Sequence, residues 1–328
     1  MWDKALWYRE FQQFGIRIWL IPLLHFFFYG FQRMNTWILE HPERIANRLQ
    51  NISSQLEFYI YNELESFCRF LLVFIAMLLS IVLISFERRN GKQELLFSLP
   101  YSRKQIYAVK WLFGAAILAG SLILNTVLDM VIVLSSRAAP YFSFVYYADQ
   151  VLYSGLVIIG IFSLSMFLGT ISGSVASHSV YLFMLYALPW YLYEMFWVTL
   201  DVHGVYFSNW RDSKWERWIN FMEHVGARYP HFSISAYVTF AVFLFGFAVA
   251  GVYMYSRNRT ENNGMLMISK AWEKVLHIGF VACFSLLAAS MMRSFLSLGL
   301  IGYYLGLLLG MVISSWIIRH LTRLRVKI

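Results

Sequence analysis

Few residues of this chain have the types and spacing that catalysis requires. There is no G-x-x-x-x-G-K-[ST] phosphate loop, so we expect no ATP to bind in that way. There is also no H-E-x-x-H zinc motif and no G-x-S-x-G nucleophile motif. The histidines show no metal-ligand spacing; they are His25, His41, His178, His203, His224, His231, His277 and His320. The sequence therefore predicts no catalytic residue, no metal and no enzyme.

Ionisable side chains inside apolar segments are the next candidates, because such groups are costly in a membrane and often functional. Asp129 follows Asn125 by one helical turn, so the two polar groups share a helix face. Glu194 lies in another apolar segment. Two interpretations remain open for these residues. They line a translocation path, or they pair locally near the ends of spans.

The most informative stretch is residues 86–112, which read FERRNGKQELLFSLPYSRKQIYAVKWL between two apolar segments. Its charged residues are Glu87, Arg88, Arg89, Lys92, Glu94, Arg103 and Lys104, with Lys110 at the start of the next span. An ordinary solvated loop would explain the charges alone. It would not explain the apolar run Leu95–Leu96–Phe97 or the break at Pro100, and Ser102 is a plausible helix cap. We therefore predict that this loop docks on a partner.

The same loop resembles the first cytoplasmic loop of ABC-2-type ABC transporter permeases. The matching residues are Glu87, Gly91, Glu94, Leu95, Leu96, Leu99, Pro100, Ser102 and Arg103. Two weaker matches support the resemblance. The segment LWYREFQQF is similar to the interfacial helix that precedes the first span, and RNRTENNGMLMI is similar to a second cytoplasmic loop.

The resemblance implies a permease that carries no cofactor, with ATP bound and hydrolysed on a separate cytoplasmic ABC ATPase. It implies a second permease subunit, either a copy of this chain or a homologue. The ATPase-docking residues would be Glu87, Gly91, Glu94, Leu95, Leu96, Phe97, Pro100 and Arg103. Length and layout also resemble the permeases of the acetoin-linked Ytr system, which implies a link to acetoin use.

Composition places the chain in a membrane. It is 59% hydrophobic and only 14% charged, whereas soluble domains carry about 25% charged residues. The net charge of +9 could suggest nucleic acid. Basic residues on one side of a bilayer, next to anionic lipid, explain it more simply. The sequence predicts a multi-pass protein of the cell membrane, in a bacterial plasma membrane, with lipid and not nucleic acid as a partner.

Hydropathy predicts an all-α bundle of about eight transmembrane helices, forming a single permease domain over residues 1–328. The predicted spans are 14–33, 67–86, 107–134, 150–172, 177–199, 235–256, 276–292 and 296–318. Basic residues are dense in the short segments 87–106, 257–275 and 319–328, which predicts that these segments and both chain ends are cytoplasmic. The longer segments 34–66 and 200–234 are predicted to lie outside.

Two further patterns concern packing. Gly302, Gly306 and Gly310 have the small-xxx-small spacing that lets another helix approach closely. Apolar residues spaced by threes and fours in 34–66 predict an amphipathic outer helix.

Other classes remain open from the residues alone. A secondary transporter would show paired broken helices at corresponding positions, and the sequence has Pro22 and Pro189 without internal symmetry. A membrane sensor or resistance component would share the same architecture without transport. An intramembrane enzyme would need a set of catalytic groups within the spans, and the sequence shows none.

Overall fold

Long apolar helices dominate the chain, because its sequence offers repeated runs of about 20 apolar residues. The computed structural model describes residues 4–60, 64–205, 221–228, 232–258, 263–268, 270–296 and 299–323. In chain order the helices are α1 Lys4–Leu39, α2 Pro42–Gln50, α3 Gln55–Ile60, α4 Leu64–Arg89, α5 Lys92–Phe97, α6 Arg103–Ser135, α7 Phe144–Ile171, α8 Val175–Val202, α9 Phe221–Gly226, α10 Ile234–Ser256, α11 Lys270–Leu296 and α12 Gly299–Arg323.

Seven helices of the described residues are long and apolar enough to cross a membrane: α1, α4, α6, α7, α10, α11 and α12. The predicted all-α polytopic fold is confirmed. The remaining predicted span, 177–199, lies within α8, a helix of 28 residues with Pro189 in its interior. Its described apolar stretch, Val175–Met184, is shorter than a span. The predicted loop 200–234 and the C-terminal segment fall partly outside the described residues.

Most helices start or end a few residues away from the predicted spans, and the first and seventh differ most. The first was predicted at 14–33, but α1 runs from Lys4 to Leu39 and changes direction at Gly15, whose φ is 53°. Because only glycine adopts that backbone conformation readily, Gly15 divides the helix Lys4–Phe14 from the rest of α1. The seventh was predicted at 276–292, but α11 has 27 residues. Its polar ends, including Glu273 and Arg293, fall outside a hydropathy window although they are helical.

Contacts between residues group the chain into two units. The first comprises residues 4–83, 100–167 and 223–256, and the second comprises the described parts of 84–99, 168–222 and 257–323. Helices α4 and α7 each contribute to both units.

Helix α6 is the centre of the first unit and contacts α1, α4 and α10. Its buried face includes Phe113, Leu118 and Leu122. Small residues set the spacing to α10, since a Cβ on Gly251 would overlap the Tyr107 ring. The side chain of Tyr107 is therefore held against the backbone of α10.

One end of the first unit is closed by an aromatic and aliphatic cluster that includes Trp37, Ile45, Phe58, Tyr59 and Tyr146. The predicted amphipathic helix of 34–66 supplies part of this cluster, but as two short helices, α2 and α3. The chain is extended at Glu40 and His41, and α2 then starts with Pro42, a residue suited to the first helical position.

The second unit contains an antiparallel pair of helices, α11 and α12, with α8 packed against both. The hydroxyl of Tyr191 on α8 donates to the carbonyl of Cys283 on α11 at 2.5 Å. On α12, the hydroxyl of Tyr303 shares a hydrogen bond of 2.8 Å with that of Thr199 on α8. These two hydrogen bonds attach α8 to the helix pair at two positions along its length.

Candidate coupling site and buried polar groups

The predicted docking loop forms a short helix rather than an irregular turn. Helix α4 ends at Arg89, and Gly91 adopts the left-handed conformation with a φ of 68°. That conformation reverses the chain, and α5 starts at the next residue. The backbone N–H of Glu94 donates to the carbonyl of Gly91 at 3.2 Å, which closes the first turn. Glycine at position 91 thus has a local reason, because other residues enter this conformation at a cost.

Burial divides the residues predicted to dock. Glu94 and Leu95 are exposed on α5, and Leu95 keeps 67% of its surface accessible. Phe97 is half-buried. Leu96 and Glu87, in contrast, are buried within the chain, with 0% and 2% exposure. In this conformation both side chains lie inside the protein, so neither is on the surface that a docked partner would touch.

The second half of the loop leads into α6. Ser102 caps that helix, as predicted: its hydroxyl accepts from the backbone N–H of Gln105 at 3.3 Å, and the Gln105 side chain accepts from the backbone N–H of Ser102 at 2.9 Å. This reciprocal capping box fixes where α6 begins. Pro100 is exposed and Arg103 is half-buried.

Arg88 holds α5 in place from the end of α4. Its Nε donates to the side-chain oxygen of Gln93 at 3.1 Å. Its Nη1 donates to the carbonyl of Gly169 at 3.4 Å and also to that of Ser172. Because Arg88 and Gln93 are both buried, these bonds form away from water, where a charged donor contributes most. Arg88 thereby joins α5 to the turn between α7 and α8.

That turn is itself paired with the segment 263–268. The N–H of Gly264 donates to the carbonyl of Gly173 at 2.8 Å, and the N–H of Ile268 donates to the carbonyl of Ile171 at 3.0 Å. The hydroxyl of Tyr181 donates to the carbonyl of Leu266 at 3.1 Å. A Cβ at position 173 would overlap the backbone of Met265, so glycine is required for this approach.

Sequence reasoning did not single out Arg88 or His178 as structural. The Ser85 hydroxyl and His178 Nδ1 share a hydrogen bond of 2.7 Å, and both side chains are buried. Gly169 lies against the His178 ring. No local signal marks these residues as partners, since Ser85 and His178 are 93 positions apart.

Asp129 lies in a buried, fully paired network. Its Oδ1 accepts from Arg33 Nε at 2.7 Å, and its Oδ2 accepts from the hydroxyls of Tyr29 at 3.1 Å and Tyr147 at 2.9 Å. The Arg33 guanidinium also lies over the Phe58 ring, at 5.5 Å from its centroid. The structure therefore places Asp129 in the local pairing that was the alternative to a path lining.

The other two path candidates are Asn125 and Glu194, which belong to different units. Asn125 is buried on α6, and its side-chain nitrogen donates to the carbonyls of Ser121 at 2.9 Å and Pro22 at 3.4 Å. Glu194 is partly exposed on α8, in the second unit, whereas Asn125 and Asp129 belong to the first.

The glycines of α12 face the neighbouring helix. A Cβ on Gly306 would lie 2.5 Å from the Ala288 carbonyl oxygen, and one on Gly310 would lie 2.7 Å from the Ser285 Cα. Gly302 is buried on the same face. The close approach is therefore made to α11 of the same chain.

A second buried ion pair joins the first part of α1, Lys4–Phe14, to α6. Lys110 Nζ donates to Glu10 Oε1 at 3.0 Å, and both side chains are almost fully buried. Arg9 donates to the same oxygen at 2.9 Å. Lys110 was counted among the basic residues around the docking loop, but its charge is compensated inside the protein.

A small polar cavity in the first unit was also missed by the sequence reasoning. Its lining includes Glu65, Arg69, His25, Cys68 and Gln150. Glu65 and Arg69 are one turn apart at the start of α4, directly before the long apolar run FLLVFIAMLL. The predicted span began at residue 67, so Glu65 was assigned to a loop. An acidic and a basic residue at i and i+4 beside an apolar run was the available signal. In the described part of the chain, no cluster of three or more His, Cys, Asp or Glu residues could hold a metal ion.

The helices and their apolar surfaces define a multi-pass α-helical membrane protein. A family model for ABC-2 family transporter proteins matches residues 15–221. The chain belongs to that family, whose members are membrane components of ABC transporters. This family assignment argues against the secondary transporter that was considered above as an alternative. No curated protein and no solved structure matches the chain.

Proposed function

We propose that this chain is the permease subunit of an ABC transporter and that its α5 helix is the docking site for a separate cytoplasmic ATPase. Family membership supports the general role. The observation that carries the specific role is the exposed apolar side chain of Leu95, next to the exposed carboxylate of Glu94, on a helix outside the long spans.

The exposed face of α5 is small. It therefore suits an interface with the ATPase in which a few residues provide most of the binding free energy. Leu95 and part of Phe97 provide apolar surface for a cleft in the ATPase. Glu94 and Arg103 provide charges at the edge, which favour correct orientation more than affinity. Glu87 and Leu96 act from beneath by holding the α5 backbone.

The Arg88 contacts give this docking helix a route into the bundle. A displacement of α5 pulls on Gln93 and through Arg88 on the carbonyls of the α7–α8 turn. Because that turn is hydrogen-bonded to the segment 263–268, the turn and this segment move together. ATP is bound and hydrolysed on the partner, and this chain converts the partner's movement into a change of helix arrangement, together with a second permease subunit.

The test is recovery of the ATPase with detergent-solubilised chain carrying Leu95→Asp. We expect the recovered ATPase to fall at least about tenfold, because a charge replaces the central apolar contact. Glu94→Ala should reduce recovery less and should lower the stimulation of ATP hydrolysis.

The matched control is Leu56→Asp, which changes an exposed leucine on α3, far along the chain from the docking helix. It should leave recovery unchanged at equal expression. Undiminished recovery with Leu95→Asp would mean that α5 is only a solvated turn. For cargo, the resemblance to Ytr-type permeases makes acetoin uptake the first transport assay to perform.

A further inference from the structure

The polar cavity of the first unit is built by buried side chains whose hydrogen-bonding atoms are not all used within the protein. Among the described residues, Glu65 Oε1, Arg69 Nη2 and Gln150 Oε1 make no hydrogen bond. Each of the three residues is more than nine-tenths buried. All three line the same cavity. A buried polar atom without a partner is unfavourable, so three such atoms on residues that line one cavity point to a shared ligand.

The size of the cavity limits that ligand. Its volume is about 10 Å³, which is room for one water molecule. Water also matches the chemistry, because it donates to the oxygens of Glu65 and Gln150 and accepts from Arg69. Those three partners are the number that a buried water usually has.

Arg69 does not neutralise Glu65 by direct contact. Its Nε donates to the Ser154 hydroxyl at 2.9 Å, and its Nη1 donates to the carbonyls of Val225 at 3.1 Å and Ala227 at 2.5 Å. The guanidinium also lies 4.9 Å from the centroid of the Tyr153 ring. Arg69 is thus fixed by neutral groups, and the described residues contain no direct ion pair between it and Glu65.

Glu65 has charged neighbours of both signs. Arg69 and Arg33 are positive, and Asp129 is negative. Arg33 is already paired with Asp129 at 2.7 Å, which weakens the effect of both. The titratable groups facing Glu65 are Cys68 and Arg69 of α4, His25, Tyr29 and Arg33 of α1, and Asp129 of α6; α7 contributes the uncharged Gln150.

We propose that this cavity is a hydrated proton-binding site, in which one water molecule joins Glu65, Arg69 and Gln150. The neutral Glu65 carboxyl releases its proton to the surrounding solution, and the water then bridges its carboxylate to Arg69. Uptake of a proton from solution restores the neutral carboxyl. The ligand is a proton, so the charge of the first unit changes with pH.

Infrared difference spectroscopy of the purified full-length chain, between acidic and alkaline buffer, tests the proton. The wild type should show a protonated carboxyl C=O band that disappears as the pH rises and shifts in D2O. Glu65→Gln should lack that band. The matched control, Glu194→Gln, removes a partly exposed carboxyl of α8 and should keep it. An identical band in wild type and Glu65→Gln would overturn the proposal.

A second variant tests the water and does not depend on the folding of Glu65→Gln. Gln150→Leu keeps the carboxyl and removes one partner of the water. It should shift the Glu65 band and slow its exchange in D2O, and it should reduce hydroxyl-radical oxidation of Cys68, which lines the cavity. Cys283 on α11 serves as the internal reference. Unchanged band, exchange and Cys68 oxidation in Gln150→Leu would show that no water links these groups.

Discussion

At the scale of single residues, the structure changes the interpretation of Asp129, the most conspicuous acidic residue within the apolar helices. Asp129 was recognisable from sequence because it interrupts an apolar helix. Its partner was not, since Arg33 is 96 positions away and lies in a segment that sequence reasoning assigned to the outer end of the first span. A charged residue within an apolar helix indicates either an ion-pair partner or a translocation path. Only the three-dimensional structure distinguishes the two.

Asp129→Asn should therefore act on stability before it acts on transport. The variant leaves the buried Arg33 guanidinium without its counter-charge, and removal of one member of a buried pair costs about 3–5 kcal/mol. We expect a clear fall in the melting temperature of the detergent-solubilised chain and a lower yield. Asp201→Asn is the control, because its ion pair with Arg293 is partly exposed and contributes about 1 kcal/mol or less. Equal melting temperatures for the two variants would return Asp129 to the list of path residues.

At the scale of elements, α5 has a buried face that packs on the protein and an exposed face that is available to a partner. Gln93 and Leu96 face the protein, whereas Glu94 and Leu95 face outward. Sequence reasoning located the apolar run of this loop and the cap of α6. It could not divide the run into inner and outer side chains, because six residues are too few to reveal a helical period.

Arg88→Met should loosen α5 and the α7–α8 turn together. The substitution keeps an unbranched, flexible side chain and removes the bonds of the guanidinium to Gln93, Gly169 and Ser172. Hydrogen bonds from charged donors contribute about 1.5–3 kcal/mol each. Amide hydrogen exchange in residues 92–97 and 169–174 should therefore be at least about tenfold faster than in the wild type.

Arg89→Met is the matched control, since Arg89 is the next residue and is exposed. It should leave exchange in both segments unchanged. Faster exchange in 92–97 alone would mean that Arg88 holds the helix but does not connect it to the turn.

Gly306→Ala should destabilise the α11–α12 pair. The added methyl group would meet the Ala288 carbonyl oxygen at 2.5 Å and force the helices apart, which costs about 1–3 kcal/mol in a packed interior. Gly279→Ala, on the other helix of the pair, has no atom within 4 Å of the added Cβ and should not destabilise the chain. Thermal denaturation of both variants makes the comparison, and equal loss would argue against close packing at Gly306.

At the scale of the whole molecule, hydropathy located the long helices because each carries enough apolar residues to be recognised alone. The kinks were harder to foresee, since a change of direction depends on single backbone positions such as Gly15. The polar pairings could not be foreseen at all. Arg69 reaches the carbonyl of Ala227, 158 positions later, and no local pattern records that contact.

The sidedness of the molecule rests on the distribution of basic residues and remains a prediction. Asn90→Cys should be labelled by membrane-impermeant thiol reagents only after cells are opened, and Asn47→Cys should be labelled in intact cells. Both positions are suitable because Asn90 lies in the docking turn and Asn47 lies on α2. Labelling of position 90 in intact cells would invert the orientation and exclude α5 from contact with a cytoplasmic ATPase.

The pairing of Gly173 with the segment 263–268 has a consequence for how this region tolerates sequence change. Its hydrogen bonds join main-chain atoms, which every residue type other than proline provides. Side chains at 265 and 266 can therefore vary while the two loops remain joined, whereas position 173 requires glycine for lack of space and position 264 favours it because its φ is 87°. Related chains should diverge at 265 and 266 and keep glycine at 173 and 264, so the surface of this region can change while its two loops stay connected.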